Sequence, residues 1–243
     1  MARLKRRSQL ARCAILLGLT APWMVASAGV FSVTPVRLYM APRDRAVAVT
    51  LRNEGDTPVV LQADINVWRQ APDGTDELVL TDDLVLAPPI IKLAPKAQQV
   101  VRLALLKPAD ASRQLTYRMI IREVPEAQPT PGVEVPIALA LSMPVFITPP
   151  TAKRQVNCGA QRGDDKTVNL KCSNTGTAYG QIREATLARN GQTLARFEGG
   201  SYILPGASKT VTLKSDKSVV AGDAQLVITF DDGQTLTTSV MLP

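Results

Sequence analysis

Residues 132–148, GVEVPIALALSMPVFIT, carry large apolar side chains at alternate positions: Val133, Val135, Ile137, Leu139, Leu141, Met143, Val145 and Ile147. The positions between them are small, polar or kinked: Glu134, Pro136, Ala138, Ala140, Ser142, Pro144, Phe146 and Thr148. Successive side chains of a strand point to opposite faces, so the stretch reads as one long strand with one apolar face. A helix is excluded by Pro136 and Pro144, each of which removes a hydrogen bond and collides with the preceding turn. Proline inside a strand confines it to an edge or a bulge. An edge this long and apolar invites pairing with another chain. Two readings follow from the pattern: a sandwich strand whose apolar face fills its own core, or a strand kept open for another polypeptide.

The chain begins with Arg3, Lys5, Arg6, Arg7 and Arg12 and no acid, followed by an apolar run from Cys13 to about Val25 and by Ala26-Ser27-Ala28. A basic head, a short apolar middle and a small-x-small site describe a secretory signal peptide, residues 1–28, cleaved after Ala28. The run is short for a membrane span and is broken by Pro22. Of 28 basic residues five lie in that leader, leaving 23 against 21 acidic, a balance of +2. No basic patch with interleaved aromatics remains, so nucleic acid is not expected as a partner. Cys13 leaves with the leader. Cys158 and Cys172 remain, an even pair in an oxidising compartment, and a disulfide is expected between them.

The rest of the chain alternates short β-type runs with turns. Phe31–Met40, Arg45–Leu51, Pro58–Trp68, Ala87–Leu93, Gln98–Leu106 and Leu115–Val124 precede a proline-studded loop, Pro125–Pro131, and the long strand. Thr148-Pro149-Pro150 cannot continue a ladder. Beyond it come Arg154–Cys158, Thr167–Cys172, Gln181–Ala188, Thr193–Phe197, Ser208–Leu213, Ala224–Phe230 and Thr235–Leu242, with Asn190-Gly191 and Asp231-Asp232-Gly233 as hairpin turns. The expected architecture is all-β: two immunoglobulin-like β-sandwich domains, residues 29–148 and 149–243, without a sequence repeat between them.

Catalytic chemistry finds little support. With no histidine in the chain, Ser-His-Asp and Cys-His arrangements and most metal sites are excluded. Asp82-Asp83, Asp164-Asp165 and Asp231-Asp232 fall in turn-like contexts and read as solvated turns rather than a glycosidase pair or calcium ligands. No enzyme, cofactor, metal site or small-molecule substrate is expected. A secreted adhesin or structural module with an ordinary buried last strand stays open on the residues alone.

The succession of leader, FSVTPVRLYM, QQVVRLAL, YRMIIREVPE, a proline-rich loop and a long alternating strand ending at a double proline resembles the periplasmic pilus-assembly chaperones of the chaperone–usher pathway. The resemblance spans the mature chain and is most specific over Tyr117–Pro125 and the following strand. It implies two sandwiches set at an angle in an L or boomerang, and a function. Such chaperones fold and cap pilus subunits that lack their own last strand, by donor-strand complementation, and deliver them to an outer-membrane usher. By that resemblance Val135, Ile137, Leu139 and Met143 enter the subunit's groove, with Val133 and Leu141 on the same face. Four or five such side chains at roughly 2 kcal/mol each contribute on the order of 8–12 kcal/mol before ordering costs. Pro125–Pro131 is expected to order on binding, and a dimer in which two such strands cap one another is one way to protect the free edge.

The commonest members grip the subunit's C-terminal carboxylate with an arginine of the first strand and a lysine late in the donor strand. Arg37 matches the arginine, but Pro144 occupies the lysine position. Tyr117-Arg118 resembles instead the archaic branch, which builds pili from spore coat protein U-type subunits. The resemblance therefore implies Arg118 as the principal carboxylate partner, with Arg37 and Arg102 beside it; a guanidinium offers paired donors and stays charged when desolvated. On the residues alone each of these arginines reads instead as an ordinary surface charge or an internal salt bridge.

Overall fold

The computed structural model describes residues 31–125 and 138–243, which form seventeen strands and, among the described residues, no helix. The leader, the loop from Glu126 onward, and Val133, Val135 and Ile137 lie outside these residues. The first half contains β1 (Phe31–Thr34), β2 (Leu38–Met40), β3 (Ala46–Asn53), β4 (Val59–Gln70), β5 (Asp76–Leu80), β6 (Leu84–Ala87), β7 (Ile90–Leu93), β8 (Gln98–Leu105), β9 (Leu115–Glu123) and β10 (Ala140–Ile147). They form two facing sheets, one in the order β1-β3-β8-β6, the other β2-β10-β9-β4-β5 with β7 also on β4. Alternate residues of each strand meet between the sheets: Val49 and Leu51, Val101 and Leu103 from one, Leu61 and Ile65, Met119 and Ile121 from the other. Each such side chain contributes about 1.5–3 kcal/mol on burial.

Two runs expected as single strands are divided, both at prolines. Phe31–Met40 splits at Pro35, where the chain passes from β1 in one sheet to β2 in the other. Ala87–Leu93 splits at Pro88-Pro89, with β6 on β8 and β7 on β4. A residue without an N–H cannot donate to a ladder, so these are the points where the chain leaves one sheet for its partner. Asp76–Leu80 was not expected as a strand. All five of its residues are exposed, because β5 is a sheet edge without one consistently covered face.

The second half comprises β11 (Val156–Arg162), β12 (Thr167–Asn174), β13 (Gly180–Arg189), β14 (Gln192–Ile203), β15 (Ser208–Lys214), β16 (Gly222–Phe230) and β17 (Thr235–Leu242). Their order is β11-β12-β15-β14-β13-β16-β17, but β14 and β15 meet at only one residue pair, Arg196 with Lys214. The ladder thus folds on itself around a separate core that includes Leu170, Leu187, Leu213, Leu226 and Ile228. Asn190 and Gly191 have φ of 50° and 77°, the left-handed pair that a tight hairpin requires.

The two sandwiches share one device that their sequences barely advertise. Asn53, 1% exposed, donates from Nδ2 to the carbonyls of Thr57, Leu93 and Ala94 and accepts from Gly55 N–H. Asn174, also 1% exposed, donates to Ala178 and Ile203 and accepts from Gly176 N–H. Each asparagine closes the turn after its strand and ties it to a distant segment, satisfying backbone groups that would otherwise be buried unpaired.

Cys158 and Cys172 are direct cross-strand partners on β11 and β12 and form a disulfide 14 residues apart in sequence. Cys172 lies fully inside the second core. A loop of that length predicts a contribution of about 3 kcal/mol. Replacing both cysteines by alanine is expected to lower the urea midpoint of the second sandwich accordingly, and the difference from the unaltered protein should vanish in reductant.

Candidate functional site

The outward face of the six-stranded sheet can be read rung by rung from its registers. The first rung holds Tyr39, Phe146, Thr116 and then Trp68 and Leu78, the second Pro144, Arg118, Asn66 and Leu80. Ser142, Ile120 and Asp64 make the third, and Ala140, Arg122 and Gln62 the fourth. The second sandwich covers the first rung with Tyr179, Tyr202 and Leu204. Phe146 stacks on Tyr179 with centroids 4.1 Å apart. Trp68 meets Tyr202 edge-on at 5.1 Å. Phe146 is wholly buried, Trp68 and Leu204 nearly so. Aromatic pairs of this kind add about 0.5–1.5 kcal/mol each beyond the area they bury.

Polar groups ring this seal. Asp231 of the second sandwich accepts from Arg37 Nη1 at 3.0 Å and from the Tyr179 hydroxyl at 2.8 Å, and Tyr179 and Tyr39 share a hydroxyl–hydroxyl bond of 3.0 Å. Burial, the bond with Tyr39 and the carboxylate of Asp231 all push the Tyr179 hydroxyl far above its ordinary pKa, so it stays a donor. Gln70 binds the backbone of the second sandwich twice, to Tyr202 C=O and from Leu204 N–H, both at 2.9 Å. Gln114 accepts from Tyr179 N–H at 2.9 Å and donates to Thr148 Oγ1 at 2.7 Å. The tip of the β4–β5 hairpin is wedged in as well. At Gly74, φ 85°, any Cβ would lie 3.0 Å from Lys209 Cα and from Ser208 O.

Arg118 sits on the second rung, at the foot of this seal. Its guanidinium lies 3.8 Å from the Trp68 ring centroid and 5.5 Å from that of Tyr202. Among the described residues it forms no ion pair. Burial pushes its pKa below the ordinary arginine value, against a partial opposing effect from Asp76 and Tyr202. A desolvated cation without a carboxylate gains more from an incoming anion than an exposed one does. Its neighbour Tyr117 points the other way, into the first core, and donates to Asp83 Oδ2 at 3.0 Å; burial and that carboxylate push its hydroxyl pKa up. Arg122, two rungs from Arg118, is paired with Asp64 at 2.9 Å.

Beside Arg118 runs an open backbone edge. Glu123 N–H donates to Leu139 C=O on the β9 side of β10, whereas Thr148 N–H donates to Met40 C=O on the β2 side. Odd residues of β10 therefore bond to β9, and even residues point the other way. β2 covers that second side only along Val145–Ile147. Among the described residues, the edge at Ala140 and Ser142 is unpaired, while the carbonyl of Pro144 faces Leu38 N–H where the parallel ladder with β2 begins. Pro144 faces this edge, which is why its missing N–H costs nothing in the β9–β10 ladder. Among the described residues no group of three or more metal-ligating side chains occurs.

The model of pili and flagellar-assembly chaperones, PapD N-terminal domain, matches residues 30–153, just over half of the chain. The chain belongs to this family. Its fold is similar to the chaperone in the CsuC–CsuE chaperone–tip adhesion subunit pre-assembly complex of archaic chaperone–usher Csu pili from Acinetobacter baumannii. That likeness has 17% identity and a TM-score of 0.66, over 88% of this chain and 100% of the other. It is also similar to the CupB2 chaperone of Pseudomonas aeruginosa (19%, TM-score 0.56, 87% and 100%). A third likeness is to the Salmonella enterica SafA pilin–SafB chaperone complex (15%, TM-score 0.57, 89% and 97%). No curated protein matches the sequence. The expected class, two immunoglobulin-like β-sandwiches, is the fold of this chaperone.

Several expected site residues take other places in the chaperone. Met143 is opposite Met119, and with Val145 and Ile147 it fills the first core at 4% exposure; it is not a plug for another protein. Leu141 is half-buried against the same core, and only Leu139, 40% exposed, emerges from it. The apolar face of the alternating strand thus serves its own sandwich at one end, because the pairing with β9 turns odd residues inward. Arg102 lies exposed on β8, on the outward face of the other sheet, with the core between it and Arg118. Arg37 does come near Arg118, both guanidinium carbons lying within 5.7 Å of the Tyr202 centroid. It is nevertheless paired with Asp231, whose side chain is 11% exposed. Asp231 is therefore no solvated turn residue.

The residues overlooked in the sequence are the sealing aromatics and the two glutamines. One signal was present. Phe146 is the sole large apolar residue among the even positions of the alternating strand, and large side chains on both faces mean cover on both faces. Met143→Ala is expected to lower stability by about 2–5 kcal/mol, while Leu139→Ala leaves the melting temperature of the chaperone unchanged; thermal unfolding of the two variants checks the assignment.

Proposed function

We propose that this chain is a periplasmic chaperone of the archaic chaperone–usher type. It binds pilus subunits by lending the open edge of its long strand, and passes them to an outer-membrane usher. The observation that carries this reading is the edge at Ala140 and Ser142, unpaired among the described residues, one rung from the partly buried Arg118. A subunit lacking a strand needs both a backbone ladder and apolar filling. The edge supplies the first. Leu139 and, on the same alternation, Val133, Val135 and Ile137 supply the second, about 8 kcal/mol at roughly 2 kcal/mol each before ordering costs. Arg118 takes the subunit's C-terminal carboxylate, and Arg37, held by Asp231, shapes the cleft rather than binding. No bond is made or broken, so the role is that of a binding protein and not an enzyme.

The leader 1–28 takes the chain to the periplasm and is cut after Ala28, in keeping with the location of pilus chaperones of this family. Residues 29–148 form the subunit-binding domain and 149–243 the second domain, the boundary falling at the double proline between the two cores. Two of the similar structures are complexes of a chaperone with a tip adhesion subunit and with a pilin, which supports the choice of client.

Ile137→Asp combined with Leu139→Asp is expected to abolish recovery of soluble subunit on co-expression while leaving the chaperone folded; soluble subunit in normal yield would remove strand donation as the mechanism. Arg118→Ala is expected to weaken subunit binding by about tenfold or more, the scale of a charge-assisted hydrogen bond, as read by isothermal titration, with unchanged affinity counting against the anchor.

A further inference from the structure

We infer that Asn66 is a second donor of the carboxylate anchor, binding the same anion as Arg118; this rests on the reading of Arg118 given above. Asn66 stands on β4 directly across from Arg118, on the outward face of the sheet. Its residue is 6% exposed, yet its Nδ2 has no hydrogen-bond partner. Leaving a buried amide unpaired is costly and calls for an explanation wherever it occurs. The contrast within this molecule is sharp: Asn53 and Asn174, equally buried, have both ends of their amides satisfied.

A second unpartnered donor lies two positions along the same strand face. Trp68 Nε1 is buried without an acceptor, and the Trp68 ring carries the Arg118 guanidinium at 3.8 Å. Asn66 Nδ2 and Trp68 Nε1 are thus buried donors without an acceptor on neighbouring rungs of the face that carries Arg118, which among the described residues has no ion pair. The carboxylates of this face are engaged elsewhere: Asp64 by Arg122 at 2.9 Å, and Asp76, whose charge reaches Arg118, by Gln70 Nε2 at 2.9 Å and Lys209 Nζ at 3.8 Å. The chemistry that fits such a set is an acceptor-only planar anion. A carboxylate has about four lone-pair sites, of which a bidentate arginine uses two, leaving the rest for a neighbouring amide. Asn66 also stands between Arg118 and the exposed Leu80 in its rung, so the anion it completes is one borne on an apolar chain end.

The test uses an acetylated peptide of alternating valine and threonine ending in a free carboxylate, and the same peptide as its carboxamide. Binding is followed by the fluorescence of Trp68. The unaltered chaperone should bind the carboxylate form more tightly, and Arg118→Ala should erase that preference. Asn66→Ala should reduce the preference by about tenfold without altering affinity for the carboxamide. Asn66→Asp, which gives Arg118 an internal carboxylate, should abolish it. Asn66→Ala removes an unsatisfied donor, so its melting temperature should equal or exceed that of the unaltered protein. A full preference retained in a folded Asn66→Ala overturns the role of Asn66 and leaves that of Arg118 standing. Absence of any preference in the unaltered chaperone overturns both.

Discussion

The first sandwich is arranged around one strand that, among the described residues, is paired along the whole of one side and only part of the other. In an antiparallel ladder every second residue spends its backbone groups on one neighbour and the rest look away. For β10 the neighbour is β9, and β2 reaches only the last three residues of the opposite side. A bare edge is ordinarily blunted by charge, by shortness or by cover. Here the odd side chains from Met143 onward anchor the strand in its own core, while among the described residues its edge at Ala140 and Ser142 has no neighbour. Rigidity is what a template requires, since ordering a floppy strand would subtract from whatever a guest gains.

The second constraint is the seal between the sandwiches. Aromatic residues are scarce in this chain, with four tyrosines in all, and three of the four stand at that seal. Phe146 ties the seal to the bare strand: its neighbours in sequence fill the core, and its own ring stacks outward on Tyr179. Gln70 and Gln114 read the backbone of the second sandwich with both ends of their amides or with main chain as well. Interfaces between domains of one chain are often loose. This one is fixed by directional bonds around a dry centre, and the position of Arg118 at its foot depends on that fixity.

Much of this was legible in the sequence, and the failures are instructive. The alternation in 132–148, the turns at Asn190-Gly191 and Asp231–Gly233, the paired cysteines and most strands followed from period and turn chemistry. The prolines that divide Phe31–Met40 and Ala87–Leu93 were visible but were not read as sheet crossings, because that depends on which sheet each half joins. The family resemblance puts Met143 on a client-facing surface; alternation specifies a face and not its owner, and the pairing with β9 gives that face to the first core. Arg102 was grouped with Arg118 although period alone cannot tell one sheet's outer face from the other's. Asp231 looked like any turn aspartate; its partner Arg37 is far away in sequence and no local signal joins them. The matched asparagine turns at Asn53 and Asn174 escaped notice since only Asn-x-Gly is common to them.

Pro144 has a consequence for any strand laid along the bare side. Coming from Ala140, such a strand meets a donor and an acceptor at Ser142, then Pro144, which has no N–H and whose carbonyl faces Leu38 at the start of β2. The track has a buffer stop. A polypeptide sliding along it runs out of rungs level with Arg118, so the same residue that interrupts the backbone ladder also decides how far the guest travels. If Arg118 takes the chain end as proposed, length is measured by the host: an end that falls short would miss the guanidinium, and one that overshoots would meet the aromatic wall.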